Sequence, residues 1–348
     1  MSAIPTSNQT KDQIKQWGRD LGLDHIGIAS LRFPPDLRAQ QTWLEQGYAA
    51  DMSWMHDPRR RDPRHVLPSV QSLIVVSQNY YTPHSHSRDP QIGKISRYAW
   101  GRDYHRVLGK KLKALCAKIQ HTFPGSQNRW YVDTGPIPEK PWAQQAGLGW
   151  IGKNSLLLTR DYGSWIFLGV VLTSLQLDPD VPHPAHCGTC TRCLEACPTQ
   201  AIVAPGVIDS RRCIAYHTLE SHADTLPKDL DTAGWVAGCD ICQDVCPWNQ
   251  RFAQPTALPD FQPYPPNLAP PLSELAQLSP ADFEQRFPAS PLRRLKVSRL
   301  RRNARHALSK LTHPAQPTKL CQTAAADFDN CTTPDETLPG QNPATRSA

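Results

Sequence analysis

Cysteines are the residues of this 348-residue chain best suited to redox chemistry, and eight of the 11 lie between residues 187 and 246. The first run has the spacing C-x2-C-x2-C-x3-C-P, a later run has the spacing C-x2-C-x3-C-P, and Cys213 stands between them. Three closely spaced thiolates can each bind one iron of a cubane, and the cysteine that precedes proline can reach a second cluster. The spacing therefore predicts two [4Fe-4S] clusters.

The ligands divide into two predicted sets, and each set takes a cysteine from the other run. The first cluster is predicted to bind Cys187, Cys190, Cys193 and Cys246. The second cluster is predicted to bind Cys239, Cys242, Cys197 and Cys213. Two structural zinc sites are the alternative, but zinc sites rarely combine three close cysteines with a fourth before proline. Two adjacent clusters conduct single electrons, so the residues that precede them are expected to hold the group that is reduced.

Positive charge is concentrated in residues 292–310, which contain eight of the 38 Lys and Arg residues and no acid. The other 30 basic residues are nearly balanced by 31 acidic ones. Leu300, Ala304, Ala307 and Leu308 recur at helical spacing, which predicts an amphipathic basic helix. Such a helix favours a polyanionic partner, although arginine-rich helices are often only solvated surfaces. The predicted contacts are Arg293, Arg294, Lys296, Arg299, Arg301, Arg302 and Arg305, and the arginines of residues 59–64 are a second candidate.

The elements that must position these residues alternate between helices and strands. The predicted helices cover 8–21 and 104–121, and the predicted strands cover 25–29, 73–76, 130–133 and two segments within 154–175. Such a mixture predicts an α+β fold for residues 1–178. Cys116 lies beside the apolar face of the second helix and is predicted to be a core residue.

Changes in composition divide the rest of the chain into three parts. Residues 179–254 form a cysteine-rich domain whose fold is expected to depend on bound metal rather than on a core. Residues 255–313 combine a proline-rich, semi-rigid connector with the basic helix. Residues 314–348 are polar and are predicted to be a loose tail.

Hydropathy and the N-terminal sequence favour a soluble protein that is not exported. The mean hydropathy is −0.51, and no apolar run approaches the roughly 20 residues that span a bilayer. The N-terminal sequence has no basic segment followed by an apolar one, and it lacks the paired arginines of a twin-arginine signal. We therefore predict a cytoplasmic protein whose cysteines stay reduced and bind metal instead of forming disulfides.

Four motifs occur in an order that resembles the epoxyqueuosine reductases, the cobalamin-dependent iron–sulfur enzymes of queuosine biosynthesis. They are ISRYAWGRDYH at 95–105, YVDTGP at 131–136, AGLGWIGKNS at 146–155 and the spaced cysteines. The resemblance implies a cobalamin-binding α/β-type catalytic domain, a bacterial-ferredoxin-like domain with two clusters and a short helical, HEAT-like C-terminal part.

The resemblance implies the reduction of epoxyqueuosine to queuosine at the wobble position of tRNA anticodons, the last step of queuosine biosynthesis. Electrons would pass from an unidentified low-potential donor through the two clusters to cobalamin. In this family the aspartate of the V-D-T-G-P motif donates a proton to the oxygen, which gives that role to Asp133. A carboxyl group with a raised pKa can donate a proton at neutral pH. From its position alone, Asp133 could instead form an Asx-turn with Gly135.

The resemblance also indicates which residues contact the cofactor and the RNA. The glycine-rich run at 147–154 lacks the order of a nucleotide-binding fingerprint, so we predict that its backbone approaches the flat corrin ring closely, or else forms an ordinary turn before a strand. The predicted corrin contacts are Arg97, Lys153, Asn154, Ser155 and Asp240, with Tyr104 and His105 as further candidates for the pocket. The basic helix would bind tRNA phosphates, and Tyr216, His217 and Trp248 are candidates for stacking on anticodon bases. The chain is expected to act as a monomer.

Two other functions stay open at this point. A reductive dehalogenase also combines cobalamin with two clusters, but such enzymes are usually exported behind a twin-arginine signal and have no use for a basic helix. A non-enzymatic ferredoxin-type electron carrier would have no use for the motifs around Asp133 and Lys153.

Overall fold

The computed structural model describes residues 7–32 and 34–312 of the chain. The strands are β1 (His25–Ser30), β2 (Ser72–Asn79), β3 (Lys94–Ile95), β4 (Asn128–Tyr131), β5 (Trp150–Ile151), β6 (Leu157–Leu158), β7 (Ile166–Thr173), β8 (Ile202–Ala204), β9 (Val207–Ile208) and β10 (Trp235–Ala237). The α-helices are α1 (Ser7–Asp20), α2 (Arg38–Glu45), α3 (Tyr104–Thr122), α4 (Glu139–Gln145), α5 (Arg192–Glu195), α6 (Ile241–Asp244), α7 (Pro247–Phe252), α8 (Pro265–Leu268), α9 (Leu272–Gln277), α10 (Pro280–Arg286) and α11 (Lys296–Thr312). Short 3-10 turns include Arg97–Ala99 and Pro291–Leu295, and Tyr216–Glu220 is a π-helical turn.

Four strands form one antiparallel sheet in the order β1-β2-β7-β4. All eight residues of β2 are buried, because helices cover both faces of the sheet. Ile74 and Val76 belong to a hydrophobic core shared with α1 and α3, whereas Leu73 and Val75 belong to a second core that contains Trp142 of α4. This alternation is the period-2 pattern of a strand with two buried faces. The sheet therefore carries α3 on one face and α4 on the other.

Most of the elements predicted for this region are confirmed. The predicted helices over 8–21 and 104–121 correspond to α1 and α3, and the predicted strands over 25–29 and 73–76 correspond to β1 and β2. The strand predicted over 130–133 ends at Tyr131, because the chain takes a left-handed conformation at Asp133. The two strands predicted within 154–175 are β6 and β7, but they lie in different sheets. The first pairs with β5 of the glycine-rich run, and the second pairs with β2 and β4.

The proline-rich segment packs against the body of the protein and does not behave as a simple connector. Helices α9, α10 and α11 share a third hydrophobic core with Ile95, Trp100 and Val236. Phe283 and Phe287 of this segment are buried in that core. The short helices and the basic helix predicted here are confirmed, but the apolar side chains between the prolines give them a fixed surface to pack on.

The chain divides into two units, Met1–Leu311 and Thr312–Ala348. The predicted domain boundaries near residues 178 and 254 fall within the first unit and stay predictions. The predicted tail over 314–348, with Cys321 and Cys331, lies outside the described residues. Across residues 7–32 and 34–312, no helix combines the length and the apolar character needed to cross a membrane.

Candidate active site

The N-terminus of α3 and the turn after β4 bring three charged side chains together. Asp103 caps α3 by accepting a hydrogen bond from the backbone N–H of His105 at 3.0 Å. Oδ1 of Asp103 also lies 2.7 Å from Nδ1 of His105, and Nε2 of His105 lies 3.3 Å from Oδ2 of Asp133. Tyr104 stacks on His105 and on Phe167 of β7, with ring centroids 4.0 and 4.1 Å apart. The imidazole is therefore fixed between two carboxylates.

The turn that carries Asp133 is strained and is held from two sides. Asp133 has a φ of 59°, a left-handed conformation that costs a non-glycine residue about 1 kcal/mol. Its backbone N–H donates to Oε1 of Glu139 in α4 at 2.8 Å, which offsets part of that cost. Gly135 is needed in the turn because a Cβ there would lie 2.3 Å from Cγ of Tyr131. The Asp133 side chain is 60% exposed and points at His105, so its carboxylate makes that contact and not the Asx-turn with Gly135.

The contacts of His105 with two carboxylates set the charges of the group. Burial alone would lower the pKa of His105, but its hydrogen bonds to Asp103 and Asp133 raise it to about 9. Desolvation would raise the pKa of Asp133, but the hydrogen bond to His105 and the positive charge of that ring lower the pKa of Asp133 below its usual value. The expectation of a raised pKa at Asp133 is therefore wrong for this arrangement, in which the shared proton resides on His105 at neutral pH.

Glu139, Lys140 and Arg60 surround the side chain of Asp133, which is 60% exposed, and this site is called the recess below. Burial and the nearby charge of Asp133 raise the pKa of Glu139 to about 8, so this carboxyl is largely protonated at pH 7. Arg60 Nη1 donates to Gly135 O at 3.2 Å, while its buried Nε has no hydrogen-bond partner in the described part of the chain. Lys140 is exposed at the recess, and burial of its ammonium group on the other sides lowers its pKa.

The eight cysteines of the two runs lie in two neighbouring groups. The first group is Cys193 with Cys187, Cys190 and Cys246 in its electrostatic environment. The second group is Cys239 and Cys242 with Cys197 and Cys213. Lys140 lies within electrostatic reach of both Asp133 and Cys242, so the second group borders the recess. The loop of the first group is exposed at Gly188, Thr189 and Thr191.

The cysteine groups do not have the geometry of a site for one metal ion. Among residues 7–32 and 34–312, no three His, Cys, Asp or Glu side chains converge as they would around a single ion. A cubane instead presents a separate iron to each thiolate, so its four sulfur ligands lie farther apart than the ligands of one zinc ion. The assignment of the two groups to [4Fe-4S] clusters stays a prediction at this point.

The glycine-rich run packs closely on residues of this chain. A Cβ at Gly149 would lie 1.9 Å from Leu158 O, and a Cβ at Gly147 would lie 2.6 Å from Val181 O. These contacts account for the glycines at 147 and 149 without a ligand, and the close approach of the run to a flat ligand stays a prediction. The two glycines allow the run to pack against β6 and against the segment that precedes the first cysteines.

Three side chains at the end of this run bind the cysteine-rich segment. Lys153 Nζ donates to two carbonyl oxygens of the first cysteine loop, at 2.8 and 2.9 Å. Asn154 is buried, and its Nδ2 donates to Cys242 O at 3.4 Å. Ser155 Oγ donates to Gly206 O at 2.6 Å. The observed role of these residues is to hold the cysteines in place, and their contact with a corrin stays a prediction.

Arg97 and Asp240, both predicted to contact the corrin, form a buried ion pair with each other. Asp240 accepts from the backbone N–H of Arg97 at 2.8 Å and from its Nη1 at 3.3 Å. The guanidinium carbon also lies 4.8 Å from the ring centroid of Trp165. The pair fixes the 97–99 turn against the second cysteine run, and its contact with a cofactor stays a prediction.

Many of the side chains predicted to bind tRNA have partners within the chain. Arg299 Nη1 donates to Leu219 O at 2.9 Å, and Arg302 donates to three carbonyl oxygens within residues 217–223. Arg301 is half-buried, and its Nε is buried without a hydrogen-bond partner among the described residues. The exposed members are Arg294, Lys296, Arg293, which pairs with Glu284, and Arg305, whose Nε donates to Ala276 O at 3.1 Å. The helix is thus anchored by part of its charge, and RNA binding by the remainder stays a prediction.

Arg294 is placed by the fold near the recess. Its two Nη atoms bond to the carboxylate oxygens of Glu220 at 3.1 and 2.7 Å. Its charge also helps to lower the pKa of Asp133, so the two side chains lie within electrostatic reach. Arg294, which was predicted from its charge alone, therefore links the C-terminal part to the active site electrostatically.

The other candidate RNA contacts have intramolecular partners as well. Arg59 and Arg64 pair with aspartates two residues earlier. Tyr216 donates its hydroxyl to a carboxylate at 2.6 Å, and Trp248 donates its indole N–H to a carbonyl oxygen at 3.2 Å. His217 is buried. Stacking of these rings on anticodon bases stays a prediction.

Asp103 and Glu139 of the recess were not predicted as site residues from the sequence, and Arg60 was predicted only as a candidate for RNA contact. Asp103 carries a usable signal, since an aspartate before an apolar-periodic run is a common helix N-cap. Glu139 and Arg60 carry no such signal, because they meet Asp133 only after α4 and the 58–61 turn pack beside the end of β4.

Two protein-family models match the chain. Epoxyqueuosine reductase QueG, DUF1730, matches residues 60–134, a range that includes Asp133, and a 4Fe-4S double cluster binding domain matches residues 186–249, which include all eight clustered cysteines. An epoxyqueuosine reductase of Synechocystis is 62% identical over 266 residues, which are 76% of this chain and 92% of that protein. The enzyme of Escherichia coli is 40% identical over 309 residues, 86% of this chain and 81% of that protein.

Solved structures agree with these matches. A crystal structure of epoxyqueuosine reductase with an epoxyqueuosine-modified tRNA-Tyr stem loop has a TM-score of 0.79 and 29% identity, and covers 87% of this chain and 82% of its own. The Bacillus subtilis enzyme, with its catalytic aspartate loop swung out of the active site, has a TM-score of 0.77 at 28% identity over 87% of this chain and 82% of its own. With relatives 62% and 40% identical over 76% and 86% of its length, the chain belongs to the epoxyqueuosine reductase family.

Proposed function

We propose that this chain reduces epoxyqueuosine in tRNA to queuosine. The observation that carries the proposal is Asp133, whose carboxylate is held by a strained turn in a recess that borders a group of four cysteines. The similarity to an enzyme with a bound epoxyqueuosine-modified stem loop supports the substrate, and the enzyme with a catalytic aspartate loop supports the role of Asp133. Removing an epoxide oxygen as water requires two electrons, which clusters bound by the cysteine groups would pass on, and two protons, of which Asp133 would donate the first.

The proposed iron–sulfur ligands are the two cysteine groups. One [4Fe-4S] cluster would bind the group around Cys193, and the other would bind the group around Cys242. The exposed loop of the first group suits it to receive electrons from an unidentified low-potential donor. The second group borders the recess and would deliver them there.

The recess fits the cobalamin that the family resemblance implies. Arg60 Nε is a buried donor without a protein partner, and Asp133 and Lys140 remain accessible although protein surrounds them. Corrin amides and the nucleotide phosphate could accept from Arg60 and Lys140. When bound, cobalamin would supply a low-potential, nucleophilic reductant for the epoxide. The earlier candidates Arg97, Lys153, Asn154, Ser155 and Asp240 would contribute mainly by fixing the walls of this site.

Residues of this chain would donate a proton to the substrate and position the group that donates it. The carboxylate of Asp133 faces the recess, where its proton could be transferred to the epoxide oxygen as the C–O bond opens. Filling the recess would exclude water and thereby raise the pKa of Asp133, because a charged carboxylate is then poorly solvated. Glu139 would hold the backbone of Asp133 in position through their hydrogen bond.

The proposed partner is a tRNA whose anticodon loop carries epoxyqueuosine. Of the basic residues considered, Lys296 and Arg305 are exposed and best placed to contact phosphates, with Arg293 beside them. We place the protein in the cytoplasm, because the reducing conditions there would keep eight thiols available for clusters. We also propose that it acts as a monomer.

The test is turnover by the anaerobically reconstituted protein with two clusters, added cobalamin and epoxyqueuosine-modified tRNA. We expect queuosine in nucleoside digests analysed by mass spectrometry. Asp133→Asn should retain iron and bound cobalamin but lose at least roughly a hundredfold in rate, since an amide cannot donate the proton. The exposed Asp12→Asn is the matched control and should retain the wild-type rate.

Two outcomes would contradict the proposal. A loaded wild-type protein that forms no queuosine would rule out the function. Full activity of Asp133→Asn would rule out the assignment of the acid while leaving the reaction itself in place.

A further inference from the structure

The stoichiometry of the proposed reaction requires more protons than one carboxyl group can hold. Removing the oxygen of an epoxide as water consumes two electrons and two protons, while both C–O bonds break and a C=C bond and two O–H bonds form. The electrons come singly from a low-potential donor. Asp133 carries at most one proton, so it must be protonated again within each turnover or be joined by a second donor.

His105 is the group in contact with Asp133 that can supply this proton. Its Nε2 lies 3.3 Å from Oδ2 of Asp133, and its Nδ1 lies 2.7 Å from Oδ1 of Asp103. The ring is 24% exposed, so it can exchange protons with solvent. Stacking on Tyr104 fixes the plane of the ring. The side chain of Asp133 is itself 60% exposed in the free protein, but a bound substrate would cover it, and His105 would then connect it to solvent.

We propose that His105, oriented by Asp103, protonates Asp133 between the two proton transfers of a single turnover. The Nε2–H bond of the imidazolium breaks, an O–H bond forms on Asp133, and the neutral imidazole takes a proton from water. His105 acts through Asp133 and is therefore a positioning residue that supplies protons. This inference rests on the proposed function and adds the source of the second proton.

The charges around His105 support this role from each element packed against it. Asp103 caps the helix of His105, and Asp133 faces it from the turn after β4. Glu139 of α4 and Arg294 of the C-terminal part act on Asp133, and Tyr104 stacks on the ring. The two carboxylates raise the pKa of His105 to about 9, so it holds a proton over the physiological range.

Single-turnover rates from pH 6 to 10 test the proposal, with the reduced, cobalamin-loaded protein and an epoxyqueuosine-modified stem loop. The wild-type rate should fall as the pH rises through about 9, where His105 loses its proton. His105→Gln keeps a side-chain donor near Asp133 but cannot transfer a proton, so its rate should be roughly tenfold or more below that of the wild type. The rate of this variant should also not fall as the pH rises through about 9. His121→Gln, exposed at the other end of α3, is the control and should match the wild type.

Asp103→Asn provides a second variant that should fold, because asparagine also caps helices well. Loss of the carboxylate charge should move the alkaline limb to lower pH and reduce kcat with little change in KM. An independent readout is the pH dependence of hydrogen exchange at Cε1 of His105, followed by peptide mass spectrometry without substrate. Its midpoint should lie near pH 9 in the wild type and lower in Asp103→Asn.

The outcomes separate this inference from the proposed function. A wild-type protein without turnover would contradict the proposed function. An active wild type whose rate and alkaline limb survive in His105→Gln would overturn the role of His105. An exchange midpoint that is unchanged in Asp103→Asn would overturn the role of Asp103.

Discussion

At the scale of single residues, the active site contains two carboxyl groups whose surroundings drive their pKa values apart. Asp133 faces the imidazolium of His105, which lowers its pKa despite desolvation. Glu139 is half-buried beside Asp133, and its desolvation and the charge of Asp133 raise its pKa to about 8. Such divergence is common where an enzyme separates the roles of two acids. Here the ionised group faces the recess, and the neutral group holds the backbone.

The raised pKa of Glu139 predicts a pH-dependent effect on stability. Its pKa in the folded state lies above the ordinary value of 4.5, so Glu139 destabilises the fold increasingly as the pH rises from about 4.5 to about 8. Glu139→Gln keeps an acceptor for Asp133 but removes this cost. We expect the variant to be more stable than the wild type by roughly 1–3 kcal/mol at pH 8.5, since one pKa unit is worth about 1.4 kcal/mol and partial exposure reduces the effect.

Urea unfolding followed by circular dichroism at pH 5 and pH 8.5 would measure the difference, which should nearly vanish at the lower pH. The exposed Glu45→Gln is the matched control and should equal the wild type at both values. Equal stability of Glu139→Gln and wild type at pH 8.5 would mean that Glu139 is ionised without cost in the fold.

Among the secondary-structure elements, helix α11 carries arginines that anchor it to the fold and basic residues that stay exposed. Its apolar side has Leu300, Ala304 and Ala307 in the third hydrophobic core. Arg299 and Arg302 reach past this side to donate to carbonyl oxygens of residues 217–223. Charge counting from the sequence treats all the arginines alike, because it cannot show which of them meet a carbonyl group after packing.

This division predicts that substitutions on the same helix have different effects. Arg302→Gln should lower the free energy of unfolding by roughly 1.5–3 kcal/mol, because charged donors to buried carbonyls are lost. The double variant Lys296→Gln, Arg305→Gln should change stability less, because it loses only the bond from Arg305 Nε to Ala276 O, against three bonds for Arg302. It should instead weaken tRNA binding and reduce the slope of log K against log salt by about 0.7–0.9 for each lost phosphate contact.

Urea unfolding and a salt titration of stem-loop binding would separate the two effects. An unchanged salt slope in the double variant would exclude those residues from RNA binding. Wild-type stability of Arg302→Gln would show that its bonds to residues 217–223 contribute little.

At the scale of the whole molecule, the hydrophobic cores and the cysteines occupy different parts of the chain. The two cores on either side of the sheet take none of their buried residues from 187–197 or 239–246. The third core likewise takes none from those two cysteine segments. Their local structure consists of short helices and turns, as expected for segments that metal organises.

Removal of iron should therefore loosen the cysteine segments without unfolding the sheet. After chelation of the clusters, we expect backbone amides of 187–197 and 239–246 to exchange much faster with deuterium. Amides of β2 and β7 should keep their protection, because their hydrogen bonds and cores remain. Cys116→Ala, which alters a cysteine outside both groups, should retain the full iron content and the wild-type exchange pattern. Loss of protection throughout the sheet would contradict this separation.

Features that depend on local spacing can be predicted from the sequence alone. The cysteine repeats indicated a double cluster domain, the periodic apolar residues indicated α1, α3 and α11, and the YVDTGP motif pointed to Asp133. These signals are local because helices, strands and cluster loops each impose a short, fixed period on the chain.

The tertiary structure is needed to show which chemical groups surround those features. It placed His105, Glu139 and Arg60 around Asp133, and it assigned Lys153 to the cysteine loop and Arg302 to the 217–223 carbonyls. It also reversed the expected direction of the pKa of Asp133. The physical reason is that electrostatic and hydrogen-bonding partners act over a few ångströms in space, and the fold alone brings distant parts of the sequence within that range.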